Sequence, residues 1–170
     1  MILKAVEPTT EPEQKEFAQV KYNERKKGQA LYALRTFKSG DIISPFSADE
    51  TFSTPNYLTV QLAKHHHISL LPKFLQYINH SCDPNIFFDT TKMVLQALKP
   101  IKVGDEFTFF YPSTEWDMAQ AFECRCGGDN CLYKIQGAKY IAPEILKNYR
   151  LTEFILNKLS AISNQFSPNN

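Results

Sequence analysis

Short apolar runs separated by polar turns make up most of the chain before residue 143. Runs of about four to eight residues, alternating or continuous, are typical of β-strands. The pattern predicts strands or hairpin arms at residues 17–22, 30–34, 42–46, 57–62, 68–71, 85–98 and 104–111. Gly28, Gly40 and the tetrapeptide at 89–92 supply turns between neighbouring arms.

The C-terminal region has a different period. After Pro143, which suits a first helical position, apolar residues recur at helical spacing up to Ile162. Residues 113–122 are predicted to form one or two helical turns with Ser113 or Thr114 as the cap, and residues 163–170 are predicted to fray. The pattern therefore predicts a mostly β fold with a helical C-terminus.

Length, composition and charge describe an ordinary globular protein. The 170 residues suit one domain, with 43% hydrophobic and 22% charged residues. A net charge of +1 gives no strong field for nucleic acid or membrane, so neither is an expected partner. The start of the chain lacks a signal-peptide pattern, which predicts an intracellular protein, cytoplasmic if bacterial and nuclear if eukaryotic or directed to a host.

The four cysteines suggest a metal site, because thiols stay reduced inside cells. Cys124, Cys126 and Cys131 lie close together around the Gly127-Gly128 turn, and Cys82 is the one that remains. A closed zinc site needs four ligands in a tetrahedron at about 2.3 Å, which matches the count. One structural Zn²⁺ is the preferred interpretation over buried free thiols.

Two other polar clusters are candidate functional sites. Three adjacent histidines at 65–67 are a candidate metal site, but neighbouring side chains diverge, so they are interpreted as a polar hairpin tip. Asp105 and Glu106 would face opposite ways on a strand, so Glu106 is interpreted as a structural anchor and not as half of a carboxylate pair.

Three motifs in order carry a family resemblance: "YINHSCDPN" at 77–85, "GDEFTFFY" at 104–111 and "CRCGGDNC" at 124–131. Together they resemble the SET-domain protein lysine methyltransferases with a zinc-binding post-SET segment, and the compact frame looks most like small bacterial members. The resemblance implies a β-clip of small curved sheets with a pseudoknot where "NHSC" and "EFTFFY" meet. It implies a SET domain over 1–112, a post-SET segment over 113–135 and a helical tail over 136–170.

The resemblance also implies a reaction, the transfer of a methyl group from S-adenosylmethionine to the ε-amine of lysine in a protein or peptide. Tyr111 falls on the family's catalytic tyrosine. Ala30 replaces the second glycine of the cofactor turn, and Cys82 ties the post-SET loop over the cofactor. Cofactor contacts are implied for Gly28, Ala30, Tyr32, Asn79, His80, Tyr111 and Phe122.

The resemblance further implies an apolar channel for the lysine, with residues of the 107–111 strand as its wall. Phe109 falls on the position that influences how many methyl groups are added. Gln76 replaces the usual arginine before the first motif, and "SPF" at 44–46 replaces an acidic-aromatic pair. A channel tyrosine is therefore either missing or supplied by Tyr57.

Two other functions fit parts of the pattern. A zinc-stabilised SET-fold interaction module without catalysis would keep the fold, and the changes at Ala30 and at 44–46 favour it. A zinc-ribbon nucleic-acid binder would need a basic surface that the charge of +1 does not supply. Tyr111, Asn79 and His80 favour the enzyme.

Overall fold

The computed structural model describes residues 17–24 and 26–166, with side chains up to residue 164. In these ranges the chain forms twelve short strands, and the first expectation, a mostly β fold with a helical C-terminus, is confirmed. The strands are β1 Ala18–Asn23, β2 Gly28–Ala33, β3 Ile42–Pro45, β4 Ser47–Phe52, β5 Val60–Ala63, β6 His66–Leu71, β7 Asn79–His80, β8 Ile86–Asp89, β9 Val94–Ala97, β10 Thr108–Phe109, β11 Phe122–Glu123 and β12 Lys134–Ile135. The N-terminal segment interpreted as free of a signal peptide lies outside the described residues.

The strands pair into five small sheets. Two have three strands, in the orders β3-β9-β8 and β4-β6-β5, and three are the pairs β1-β2, β7-β10 and β11-β12. All pairings are antiparallel except β7 with β10. The fold is therefore an assembly of small sheets, as the sequence predicted.

Most predicted strands are present, with shifts at their ends. Gly28 is the first residue of β2, so the turn lies before it, where Lys27 adopts a left-handed φ of 53°. The hairpin of β5 and β6 is confirmed, but its tip is formed by Lys64 and His65. His67 is 2% exposed within β6, so the interpretation of all three histidines as a polar tip is wrong for this one.

Sequence reasoning missed strand β4. Its sequence SADETF has five exposed residues followed by a half-buried one, so no apolar pattern marks it. Pairing with β6 across the sheet, not burial, holds it in an extended form. A strand of this kind is decided by its neighbour and not by its own hydrophobicity.

The helices lie near the C-terminus, as predicted. Helix α1 spans Pro143–Leu146 and α2 spans Glu153–Phe166, and three 3₁₀ helices span Lys73–Tyr77, Tyr111–Ser113 and Ala138–Tyr140. No helix among the described residues is long and apolar enough to cross a membrane.

The helical turns predicted for residues 113–122 are largely wrong. The backbone there bonds to a distant segment: Ala138 N–H donates to the Glu115 carbonyl at 2.9 Å, and Met118 N–H donates to the Gln136 carbonyl at 2.9 Å. Gly137 allows this approach, because a Cβ at its position would lie 2.5 Å from the Trp116 carbonyl oxygen. Long-range pairing thus replaces the helical hydrogen bonds.

Three apolar clusters hold the sheets together. The main core contains residues from both three-stranded sheets and from the β1–β2 hairpin, and it includes Phe88, Phe107 and Phe109. A second cluster lies under the C-terminal helices around Phe110, and a third surrounds the cysteines. The signature segments run along the boundary between these clusters, where the site is built.

Candidate active site

The first two signature motifs meet as parallel strands. In β7 and β10, Asn79 is opposite Thr108 and His80 is opposite Phe109. Asn85 locks the pair from the side: its Oδ1 accepts the Thr108 N–H at 2.8 Å, and its Nδ2 donates to the Glu106 carbonyl at 2.8 Å. The contact between "NHSC" and "EFTFFY" that the resemblance implied is therefore present.

Tyr111 follows β10 and lies among aromatic rings. Its ring centroid is 4.6 Å from that of Phe109, 5.3 Å from His80 and 5.9 Å from Phe122. Its hydroxyl donates to the Ile78 carbonyl at 3.3 Å. Burial raises the pKa of the phenol, and neighbouring acidic groups raise it further, so the hydroxyl stays protonated at neutral pH.

His80 shapes the site without carrying charge. Its Nδ1 accepts the backbone N–H of Tyr111 at 3.2 Å, which leaves the ring proton on Nε2, 3.3 Å from Cys82 Sγ. Burial, assisted by the positive charge of Lys26, lowers the pKa of His80 to about 3. The imidazole is therefore neutral and connects the tyrosine to the cysteine cluster.

Glu106 is the centre of a polar network. Its Oε1 lies 2.7 Å from Lys26 Nζ and accepts the Asn79 side-chain amide at 3.0 Å, while Oε2 accepts the Asn23 amide at 3.0 Å. The Asn23 amide also donates to the Tyr32 hydroxyl at 3.0 Å. These bonds tie the β1–β2 hairpin to the signature segment, which is the anchoring role that the sequence suggested.

A cavity of about 390 Å³ opens beside this network, a size that suits a ligand of cofactor dimensions. Its wall includes segment 123–126, and the other residues are Lys26, Lys27, Asn79, His80, Tyr111 and Phe122. Four of the residues implied as cofactor contacts therefore line one cavity. The two lysines were missed as site residues, although their basic turn is visible in the sequence.

The other three implied cofactor residues lie behind this wall. Ala30 is fully buried, and Tyr32 belongs to the Glu106 network. Between Gly28 and Ala30, the carbonyl of Gln29 accepts the Asn79 amide at 3.1 Å. The turn thus supports the cavity through Asn79, and neither Gly28, Ala30 nor Tyr32 is among the residues that line it.

A second cavity, of about 50 Å³, shares Tyr111 with the first. Its wall is mainly apolar, and its aliphatic and aromatic side chains include those of Val60, Leu70, Leu75, Ile78, Phe88 and Phe109. Glu115 also lines it and was missed, because a single acidic residue in a polar stretch carries no sequence signal. This cavity has the composition expected of a channel for an aliphatic chain.

Three aromatic side chains proposed for the channel lie elsewhere. Tyr57 is 83% exposed outside the cavity, whose wall includes its neighbours Asn56 and Leu58. Phe107 is in the main core, and Phe110 stacks on the ring of Tyr149 with centroids 3.7 Å apart. Of the aromatic residues in 107–111, only Phe109 and Tyr111 line the channel.

The four cysteines form one cluster, as predicted. Cys82 follows β7, and Cys124, Cys126 and Cys131 follow β11. Their Sγ atoms all lie within 4.8 Å of one another, with Cys82 and Cys124 at 3.9 Å. Four sulfur atoms about 2.3 Å from one ion would lie about 3.8 Å apart, so the cluster could hold Zn²⁺ with little adjustment.

The surroundings of the cluster favour the thiolate of Cys126 and disfavour that of Cys82. Burial opposes ionisation of Cys126, but the backbone N–H groups of Gly128 and Cys82 and the neighbouring thiols lower its pKa to about 6. Burial raises the pKa of Cys82 to about 11 in the absence of an ion. A bound cation would favour the thiolate at each ligand, because metal binding releases the thiol protons.

The C-terminal region supports the cluster from outside. The Tyr149 hydroxyl and the Asn130 amide both donate to the Cys82 carbonyl, at 2.9 and 2.7 Å. The backbone N–H of Leu132 lies 3.4 Å from Cys82 Sγ. Two parts of the chain, segment 130–132 and Tyr149, thus converge on Cys82.

Comparisons with known proteins agree with this geometry. Residues 28–112 match the profile of the SET domain. The methyltransferase flvH of Aspergillus flavus is 37% identical over 130 residues, which cover 75% of this chain and 72% of that protein. The histone-lysine N-methyltransferase Su(var)3-9 of Drosophila melanogaster is 32% identical over 51% of this chain, but the match spans only 15% of that protein.

Solved structures share the fold. KRYPTONITE in complex with mCHH DNA, an H3(1-15) peptide and SAH matches with a TM-score of 0.54 and 23% identity, over 70% of this chain and 29% of that one. The methyltransferase domain of human SETMAR matches with a TM-score of 0.54 and 19% identity, over 72% and 59% of the two chains. At these identities the likeness concerns the fold alone.

Proposed function

The chain belongs to the SET-domain methyltransferase family, and from this membership we propose that it transfers a methyl group from S-adenosylmethionine to the ε-amine of a lysine in a protein or peptide. Several relatives are named histone-lysine N-methyltransferases, which supports a protein substrate. The relative that covers most of this chain is named only a methyltransferase, so lysine specificity belongs to the proposal.

The position of Tyr111 between the two cavities carries the proposal. Methyl transfer needs the amine nitrogen in line with the sulfonium methyl, so the two substrates must enter separate sites that meet at one point. The larger cavity has the size of a cofactor site, the smaller one suits an alkyl chain, and Tyr111 is in the wall of both. We assign Tyr111 the catalytic role on this basis.

On the cofactor side, the chain offers three kinds of contact. Phe122 gives an aromatic face for the adenine, and Asn79 and His80 line the cavity at the parallel strand pair. Lys27 adds a positive charge that suits the carboxylate of the methionine part. Gly28, Ala30 and Tyr32 act behind this wall, where the Gln29 carbonyl and the Tyr32 hydroxyl keep the Asn79 network in position.

On the channel side, the wall would help to remove the proton from the substrate. A free lysine ammonium has a pKa of about 10.4, and an apolar wall destabilises the charged form. The neutral phenol of Tyr111 donates to the Ile78 carbonyl, so an oxygen lone pair remains to accept a hydrogen bond from the amine. This bond would direct the nitrogen lone pair at the methyl group.

A Zn²⁺ ion at the cysteine cluster would have a structural role. Segment 123–126 contains two of the four cysteines and also lines the cofactor cavity. An ion bound there would link this wall to Cys82 in the signature segment. The cofactor itself supplies the reactive methyl group.

The sheet edge at β4 is our proposed site for the substrate backbone. Strand β4 is at the edge of its sheet, and its partner β6 contributes Leu70 to the channel wall. An extended peptide could add there as a further strand and insert its lysine into the channel.

Three expectations from the sequence stay predictions. They concern nucleic acid as a partner, the cellular compartment and the likeness to small bacterial members.

Two measurements test the proposal. Calorimetry should detect S-adenosylmethionine binding, and labelled cofactor added to host lysate should label proteins on lysine, with the sites mapped by mass spectrometry. Tyr111→Phe should lose the labelling, and Tyr133→Phe is its matched control for loss of a hydroxyl. Tyr133 is exposed and outside both cavities. Cofactor binding without any lysine labelling would instead support the catalytically inactive interaction module.

A further inference from the structure

Glu115 is a buried acid in a mainly apolar channel. Its side chain is 7% exposed, yet it lines the same cavity as Phe109 and Tyr111. Among the described residues that line this cavity, it is the one carboxyl group, and none of them is a cation. A carboxylate in such a place is costly unless something positive enters.

Only one of its two oxygens is bound by the protein. Oε1 accepts the Gln61 backbone N–H at 2.8 Å and the Thr114 hydroxyl at 3.2 Å. Oε2 accepts no hydrogen bond from any described residue. The backbone of Glu115 is fixed at both ends, through its N–H to the Tyr111 carbonyl at 3.0 Å and its carbonyl to Ala138 N–H at 2.9 Å. The carboxyl group is thus held through Oε1 and through the backbone, on a residue that lines the channel.

The charge of this group can change near neutral pH. Burial raises the pKa of Glu115 to about 7, although the hydrogen bonds from Gln61 and Thr114 oppose the rise. The other titratable group in the wall is Tyr111, which stays neutral. On the adjacent strand, His67 is the register partner of Gln61, and its pKa is lowered by burial and by the neighbouring histidines. Among the residues that the structure describes, no basic group lowers the pKa of Glu115, whereas an incoming ammonium could stabilise its carboxylate.

We propose that Glu115 binds the substrate ammonium in the channel and takes one of its protons before methyl transfer. The proton transfer rests on the proposed function, whereas the ammonium binding does not. The proton moves from nitrogen to Oε2 and leaves a neutral amine. The nitrogen lone pair then forms the bond to the methyl carbon, the carbon–sulfur bond breaks, and its electron pair neutralises the sulfonium. Glu115 returns its proton to water before the next turnover.

The same carboxyl group also has a structural role, so the test must separate the two. Oε1 joins β5 to the segment after β10, and removing the side chain would break that link. Glu115→Gln keeps an oxygen that can accept the Gln61 N–H, but it removes the negative charge and the proton acceptor. Thr114→Val removes a hydrogen bond to Oε1 and leaves the charge in place, which makes it the matched control.

The first experiment needs no turnover and uses the wild-type chain. NMR of the protein with ¹³C-labelled glutamate follows the Glu115 carboxyl through a pH titration, and Glu115→Gln assigns its signal. n-Butylamine, which has the side-chain form of lysine, should lower the titration midpoint by about one pH unit or more, because a nearby cation favours the carboxylate. n-Butanol should leave it unchanged. Equal midpoints with both compounds would overturn the ammonium-binding role.

The second experiment measures the pH dependence of methyl transfer to the lysate proteins. Glu115→Gln should lower the initial rate about 10-fold or more near pH 7, because a positioned base is lost. The deficit should shrink at high pH, where more amine arrives unprotonated. Thr114→Val keeps the base but loses a hydrogen bond that lowers the pKa of Glu115, so it should shift the low-pH limb of the profile to higher pH and still reach the wild-type maximum. A rate for Glu115→Gln that runs parallel to wild type at every pH would contradict the proton-acceptor role.

The two experiments also separate this inference from the proposed function. Lysine labelling with no effect of n-butylamine on the midpoint would overturn the role of Glu115 and leave the methyltransferase proposal intact. A midpoint shift with n-butylamine but no labelling of any protein would support the ammonium site and reject the methyl transfer.

Discussion

The two cavities that meet at Tyr111 are built in different ways. The channel wall is part of the main hydrophobic core, where Phe88 and Phe109 pack with ring centroids 4.8 Å apart. The wall of the cofactor cavity comes from separate loops, the Lys26-Lys27 turn, which an ion pair ties to Glu106, and the cysteine segment 123–126. One cavity is therefore shaped by burial and the other by a few specific bonds.

The difference in construction implies a difference in stability. Burying a large apolar side chain contributes about 1.5–3 kcal/mol, and the channel wall has several of them. A hydrogen bond contributes about 0.5–1.5 kcal/mol, and the Glu106 network is partly exposed to solvent. We expect the channel to keep its shape under changes that open the cofactor cavity, and the following variants test this contrast.

Tyr111→Phe acts where the cavities meet and should have the largest effect. The ring and its aromatic contacts remain, but the hydroxyl that directs the amine is lost. Turnover should fall about 100-fold or more, because the reactants are no longer aligned. Cofactor affinity, measured by calorimetry, should change far less. Turnover equal to that of wild type would remove Tyr111 from the catalytic role, and Tyr133→Phe provides the reference for a harmless loss of a hydroxyl.

Loss of the metal should affect the cofactor cavity alone. Purified protein should contain about one zinc per chain. Cys131 is not in the cavity wall, so Cys131→Ala can act on it only through the cluster. We expect this variant to lose the metal and to bind S-adenosylmethionine about 10-fold more weakly, since ligand loss disorders a site that metal binding helps to fold.

The contrast between the cavities gives this experiment a control within the same protein. The response of the Glu115 signal to n-butylamine reports on the channel and should survive in Cys131→Ala. Metal-free protein with full cofactor affinity would contradict the zinc hypothesis, and loss of both responses would contradict the independence of the channel.

Phe109→Tyr changes the channel alone and should alter the products. Phenylalanine leaves room for a methylated amine to rotate, so wild type should reach dimethyl- or trimethyllysine. One added hydroxyl with its bound water is worth about 1–2 kcal/mol in positioning and should stall the variant at lower states. Mass spectrometry over a full time course measures this. Wild type that stops at monomethyllysine with cofactor in excess would show that Phe109 does not set the product.

Tyr149→Phe should have the smallest effect of these variants. It acts on the support of the cysteine cluster beside the cofactor cavity. The stacked ring on Phe110 is kept, and only the hydroxyl that donates to the Cys82 carbonyl is lost. Because Asn130 donates to the same carbonyl, the free energy of unfolding should fall by about 1 kcal/mol or less. Urea unfolding measures the change. A larger loss in Tyr149→Phe than in Tyr149→Ala would contradict the division between ring and hydroxyl.

Much of the site was predictable because its signals are local. The cysteine spacing and the glycine turn predicted a four-sulfur cluster, and the structure brings all four sulfur atoms together. The family resemblance carried by the motifs at 77–85 and 104–111 implied that Asn79 and His80 meet the segment before Tyr111, and the pairing of β7 with β10 agrees with it. Residue type and short spacing are enough for such features, since the chemistry of each motif requires particular residues.

The rest depended on which residues the fold buries. Tyr57 was assigned to the channel by its residue type and is exposed, whereas no sequence signal marked Glu115, which lines the channel. Residues 114–121 have the composition of a helix but bond to residues 136–139, and β4 has no apolar pattern but pairs with β6. By itself the sequence determined the motifs, the candidate cluster of four cysteines and the strand-rich architecture. The tertiary structure decided the channel wall, because burial and long-range hydrogen bonds depend on contacts between residues far apart in the chain.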